Sequence, residues 1–72
     1  MKEALIYRRQ AVNLTQAQVA AILQIDRTTV TKWETGESAP RAPMLPRLAA
    51  LYKCSIGDLY SAPKPGKSLP PA

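Results

Sequence analysis

Residues 14–36, LTQAQVAAILQIDRTTVTKWETG, read as two short helices joined by a tight turn. Thr15 is an N-cap residue, and Gln18 three positions later completes a capping box, in which each side chain bonds the other's backbone N–H. Val19, Ala20, Ile22 and Leu23 follow as an apolar stripe at helical spacing. Asp26 is a second N-cap, with a carboxylate able to accept from the free N–H groups of the next helix. That helix, residues 27–35, sets Val30 and Trp33 on one side and Arg27, Thr28, Thr31 and Lys32 on the others. Gly36 is a natural residue to follow it, because glycine takes a left-handed backbone at little cost.

The second helix has an unusual exterior. A solvated helix face normally mixes charge signs to gain pairs between residues four apart. Here the outer residues are hydroxyls and cations, with Glu34 the only acid and near the end. Such a face suits phosphates and base edges. The sequence resembles the helix-turn-helix domains of the lambda-type repressor and Cro class. The matching residues are Leu14-Thr15-Gln16, Ala20, Leu23 and Ile25, then Val30, Trp33, Glu34 and Gly36. Beyond them Pro40, Leu45, Leu48-Ala49, Ser55-Ile56 and Leu59 also fit, so the likeness covers roughly residues 4–61.

The resemblance implies an all-α fold: a compact bundle of about five short helices containing the helix-turn-helix. It implies a regulator of transcription that binds double-stranded DNA, on a two-fold operator as a homodimer. Arg27, Thr28 and Lys32 match positions that enter the major groove. There arginine or lysine can read guanine, and a threonine methyl can touch the thymine methyl. Gln16 matches a glutamine that contacts the DNA backbone, next to Thr15 at a helix N-terminus whose dipole suits a phosphate. Thr29 and Thr31 are left to phosphates or to solvent, and Arg41 lies in a loop whose basic residues grip backbone or minor groove. Family members also pair an arginine at the Arg9 position with the glutamate after the tryptophan, here Glu34, which ties the first helix to the end of the recognition helix. Trp33 is then a packing residue. Gln24 and Lys53 stand where the family has glycine, so modest strain is expected at Gln24 and a different helix end at Lys53.

The totals agree with this and narrow it. Seventy-two residues allow one domain. Ten Lys+Arg against five Asp+Glu give +5, which favours a polyanionic partner, whether nucleic acid or an anionic membrane surface. With one cysteine, Cys54, and no histidine, a disulfide within the chain is impossible and a Cys/His zinc site lacks ligands. Cys54 reads as a small buried hydrophobe. The same inventory, with its scattered acids and no glycine-rich phosphate loop, argues against an enzyme, a metal site or a cofactor. No apolar run approaches a membrane span of about 18 residues. MKEALIYRRQ does not read as a signal peptide, so the expected location is the cytoplasm, alongside the nucleoid.

Elsewhere, residues 2–12 form a helix candidate with Leu5 and Val12 two turns apart on one side, and Asn13 tolerates the left-handed turn after it. A further helix starts near Ala42 or Pro43, with Pro46 an awkward fit. Ser55 and Asp58 open a last short helix, from which Ile56, Leu59 and Tyr60 pack back on the core. The domain covers residues 1–61. Residues 62–72, with four prolines, a glycine and two lysines, read as a flexible tail. Ile22, Leu51 and Tyr60 exceed what one small core can hold. That supports a dimer face, and it keeps open a second reading as a protein-interaction or assembly module, such as an antitoxin-type partner-binding protein.

Overall fold

A computed structural model describes residues 1–61, and the tail expected over 62–72 lies outside the described residues. Helix α1 spans Lys2–Ala11, α2 Gln16–Leu23, α3 Arg27–Thr35 and α4 Leu45–Tyr52. Two 3-10 turns, Ala42–Met44 and Gly57–Leu59, flank α4. No strand occurs among the described residues, and the all-α expectation holds. None of their helices is long and apolar enough to cross a membrane.

Helix α3 packs on α2 and α1, and α4 with its 3-10 turns closes the other side of α1. The core is one cluster: Leu5, Val19, Ala20, Leu23, Val30, Trp33, Leu45, Leu48, Ala49, Tyr52 and Leu59. Trp33 is buried, in keeping with a packing role. Met1, Val12, Leu14, Ile25, Met44, Leu51 and Cys54 lie half-buried against the cluster. Leu51 is therefore part of the core's edge and not a free surface residue. Val12 stands just past the end of α1, and Ala4 with Leu5 supplies that helix's buried contact. Ile56 and Tyr60 depart from expectation: both remain exposed, while Leu59 between them is fully buried.

The caps are local chemistry. Thr15 Oγ1 accepts from the Gln18 N–H at 3.0 Å, and Gln18 Oε1 accepts from the Thr15 N–H at 2.8 Å, as the capping box requires. Ser55 and Asp58 reciprocate in the same way, both at 3.1 Å. Those bonds from Ser55, backbone first, hold the Asp58 carboxyl below its ordinary value. Asp26 is the N-cap of α3, yet its side chain makes no capping bond; its carbonyl accepts the Thr29 N–H instead. Asn13, Gln24 and Lys53 adopt left-handed backbone at φ 59°, 59° and 56°. Each ends a helix that a non-glycine residue must turn out of, so the strain expected at Gln24 is present, and Lys53 shares it. Gly36, at φ 86°, ends α3, where an added Cβ would also meet the Lys2 side chain at 3.0 Å.

Pro46 finds an acceptable place because the chain divides its turn. A 3-10 turn takes Ala42–Met44, and the α-helix begins only at Leu45. Pro46 then lies in a first turn, where its missing N–H had no intrahelical partner.

Candidate nucleic-acid interface

Helices α2 and α3 place the expected contact residues on connected surfaces. Arg27, Thr28 and Lys32 are all exposed on α3, with Val30, Trp33 and Glu34 buried behind them. Lys32 Nζ lies 3.6 Å from Glu37 Oε2, an exposed pair worth little in water. Thr15 and Gln16 stand at the start of α2. The capping box satisfies two of the four N–H groups that a helix start leaves over, those of Thr15 and Gln18. The N–H groups of Gln16 and Ala17 remain at the tip, at the positive end of the helix dipole.

Arg41 and Thr29 meet across a groove. It has a volume of about 330 Å³, with Thr29, Ser38 and Arg41 as its polar lining and Ile25, Trp33 and Met44 among the apolar residues. Ser38 had no signal in the sequence; the closure of the loop brings it there, as its N–H turns back to the Lys32 carbonyl at 3.2 Å.

Behind this surface lies a polar network linking three helices. Arg9 grips Glu34 in bidentate fashion: Nε donates to Oε2 at 2.7 Å and Nη2 to Oε1 at 2.9 Å. Its third nitrogen, Nη1, donates to the Leu14 carbonyl at 2.8 Å. The pair is largely out of water, with side-chain exposures of 13% for Arg9 and 4% for Glu34. The bond to Glu34 raises the Arg9 guanidinium above its ordinary value against the opposing pull of burial. Burial first, and then the nearby Glu34 charge, also raises the Tyr52 hydroxyl well above its ordinary 10.0.

Gln16 and Thr31 extend the network between α2 and α3. Gln16 Nε2 donates to Glu34 Oε1 at 3.0 Å, and Thr31 Oγ1 donates to Gln16 Oε1 at 2.8 Å. The half-buried Thr31 hydroxyl thus turns inward, whereas a phosphate or solvent was expected as its partner. Eighteen and fifteen residues separate the partners of these bonds, so no local pattern could have announced them.

The helix-turn-helix family model matches residues 5–59, from α1 to the final turn. The chain belongs to the helix-turn-helix family of the lambda-repressor and Cro type. Among curated relatives, it is 39% identical over 59 residues to the cryptic phage CTXphi transcriptional repressor RstR of Vibrio cholerae, covering 82% of this chain and 53% of that protein. It is 36% identical over 59 residues to the HTH-type transcriptional activator BcrR of Enterococcus faecalis, covering 82% of this chain and 29% of that protein. With the HTH-type transcriptional regulator DicA of Escherichia coli, identity is 33% over 75 residues, covering 97% of this chain and 56% of that protein. The chain spans about half or less of the length of these relatives. No solved structure matches it at a significant level. The relatives include a repressor and an activator, so membership leaves the direction of regulation open.

Within the family's helix-turn-helix, the left-handed Gln24 marks the turn. Ile25 N–H returns to the Ala20 carbonyl at 3.0 Å, closing α2 before α3 departs.

Proposed function

We propose that this chain binds double-stranded DNA in a sequence-specific way and regulates transcription, with α3 in the major groove. The observation that carries the reading is the exposed Arg27, Thr28 and Lys32 surface of α3 beside the open N-terminus of α2. Arg27, Thr28 and Lys32 read base edges. Thr15, Gln16, Thr29 and Arg41 hold the backbone. A net charge of +5 supplies long-range attraction to the duplex. One such domain reads few base pairs, so the operator is two-fold and the binding species a homodimer. The site of action is the cytoplasm, at the nucleoid.

A second reading, a protein-interaction module of the antitoxin type, draws on the exposed apolar residues Ile22, Ile56 and Tyr60. Such a module has no use for the cationic face of α3, which is why DNA ranks first.

Readers and holders must fail differently. Lys32→Ala is expected to cost about 1–3 kcal/mol on the preferred operator and relax preference at particular base pairs. Arg41→Ala weakens all sequences alike and flattens the salt dependence by about one unit of slope. Specificity profiling of both variants against one randomised duplex library measures this. Absence of duplex binding by the parent protein even at low salt would sink the DNA reading. If only Arg41→Ala changed the base preference, the two roles would be reversed.

A further inference from the structure

The bonds around Gln16 restrict what each side chain can offer a ligand. Glu34 is ionised in its pair with Arg9, and a carboxylate only accepts. The Gln16 atom 3.0 Å from it is therefore the amide nitrogen, which turns the amide oxygen towards Thr31. Thr31 Oγ1 stands 2.8 Å from that oxygen and 3.2 Å from the Arg27 carbonyl. Both of these are acceptors, and a hydroxyl has one proton. A phosphate oxygen is an acceptor too, so Thr31 has no proton to give it while the network stands. Gln16 does have one, because Nε2 carries two protons and Glu34 takes only one of them.

We infer that Thr31 is a positioning residue for the DNA interface: it acts through Gln16 and not by touching DNA itself. This rests on the DNA-binding function proposed above. Bonds at opposite ends fix the plane of the Gln16 carboxamide and so the aim of its remaining proton. With Thr31 removed, the amide is held at one end and swings about that bond. The arrangement also joins two jobs. Thr31 lies on the helix that carries the base readers, and Gln16 opens the helix that meets the backbone. Their bond keeps the phosphate grip in register with the reading helix.

A double-mutant cycle separates action through Gln16 from direct contact. The affinities of the parent, Thr31→Val, Gln16→Ala and the double variant are measured on a mixed-sequence duplex of about 20 base pairs at low salt, long enough for two half-sites. Thr31→Val is expected to weaken binding about two- to tenfold, the worth of one hydrogen bond. Thr31→Ser, which keeps the hydroxyl, binds like the parent. In the Gln16→Ala background, Thr31→Val costs nothing more. Equal losses in both backgrounds would make Thr31 a direct contact and overturn the inference, as would no loss at all or a loss in Thr31→Ser. Should Thr31→Val fail to fold, Thr31→Ala takes its place in the same cycle. A parent that binds no duplex removes the DNA reading itself, whereas a parent that binds with additive losses removes only the role given to Thr31.

Discussion

The two sides of α1 are joined to the rest of the protein by different physics. Towards α2 and α3, the bonds are directional: Arg9 joins α1 to Glu34 and to the Leu14 carbonyl, and Gln16 in turn ties α2 to Glu34 and Thr31 of α3. Towards α4 and the final 3-10 turn, the contact is mainly apolar, with Leu5, Leu48 and Leu59 all buried to within 1%. The ionic contribution there is a looser pair, Arg8 Nη2 to Asp58 Oδ1 at 3.5 Å, with Asp58 still half open to water. Apolar burial is strong but nearly indifferent to direction. Hydrogen bonds between ionised groups add geometry to energy. The protein uses directional bonds where a helix must be aimed and burial where a helix need only cover the core.

The largest effects test that division. Arg9→Ala leaves the Glu34 carboxylate buried without its partner, expected to cost about 3 kcal/mol, the low end for such pairs because Arg9 keeps an edge in solvent. Leu48→Ala on the other side costs a comparable ~2–5 kcal/mol through a cavity. Denaturant melts compare both with Arg47→Ala, an exposed cation on α4, which stays within about 0.5 kcal/mol of the parent. If Arg9→Ala matched Arg47→Ala, the polar side would be ornamental. The comparison sharpens when DNA binding is measured under conditions where both variants remain folded. Leu48→Ala keeps the parent's base preference and Arg9→Ala loses part of it.

A smaller effect lies in the turn between α2 and α3. Gln24→Gly relieves a left-handed non-glycine residue, whose strain is about 1 kcal/mol, and loses some of that gain to greater freedom when unfolded. A gain of about 0.5 kcal/mol in thermal melts is expected. A loss would mean that the Gln24 side chain contributes more than its backbone costs.

The smallest effect concerns Tyr52 and alkaline pH. Its folded value is raised above the unfolded 10.0, so the folded state holds the proton longer. Stability is then level below pH 10 and falls as the pH rises beyond it. Tyr52→Phe removes that part of the slope, read as a shallower decline in melting temperature above pH 10. An unchanged slope would place the burial of this hydroxyl in doubt.

Much of the framework was legible because it is local. Thr15 with Gln18 and Ser55 with Asp58 are three residues apart, and the chain can reach such partners in few ways. The left-handed positions could be placed at Asn13 and Gly36 by the end of a periodic run, and at Gln24 and Lys53 by likeness to a family with glycine there. Asp26 shows the limit of the rule: it occupies the N-cap position, yet its side chain leaves the capping bond unmade. The Arg9–Glu34 pair was implied only by family resemblance, since nothing near either residue requires it.

The sequence by itself determined the helices, the turn between α2 and α3, the cationic character of α3 and which apolar stripes had to meet. Periodicity, capping chemistry and charge act over a few residues, and the fold inherits most of them, the Asp26 cap excepted. Only the tertiary structure decided where the polar side chains turn. It sent the Thr31 hydroxyl inward to Gln16, put Ser38 beside Thr29 and Arg41, buried Leu59 and left Ile56 in water. The reason is that a hydroxyl or an amide bonds whichever partner the packed helices bring within about 3 Å. That partner is set by how the helices stack, a relation between residues far apart in the chain.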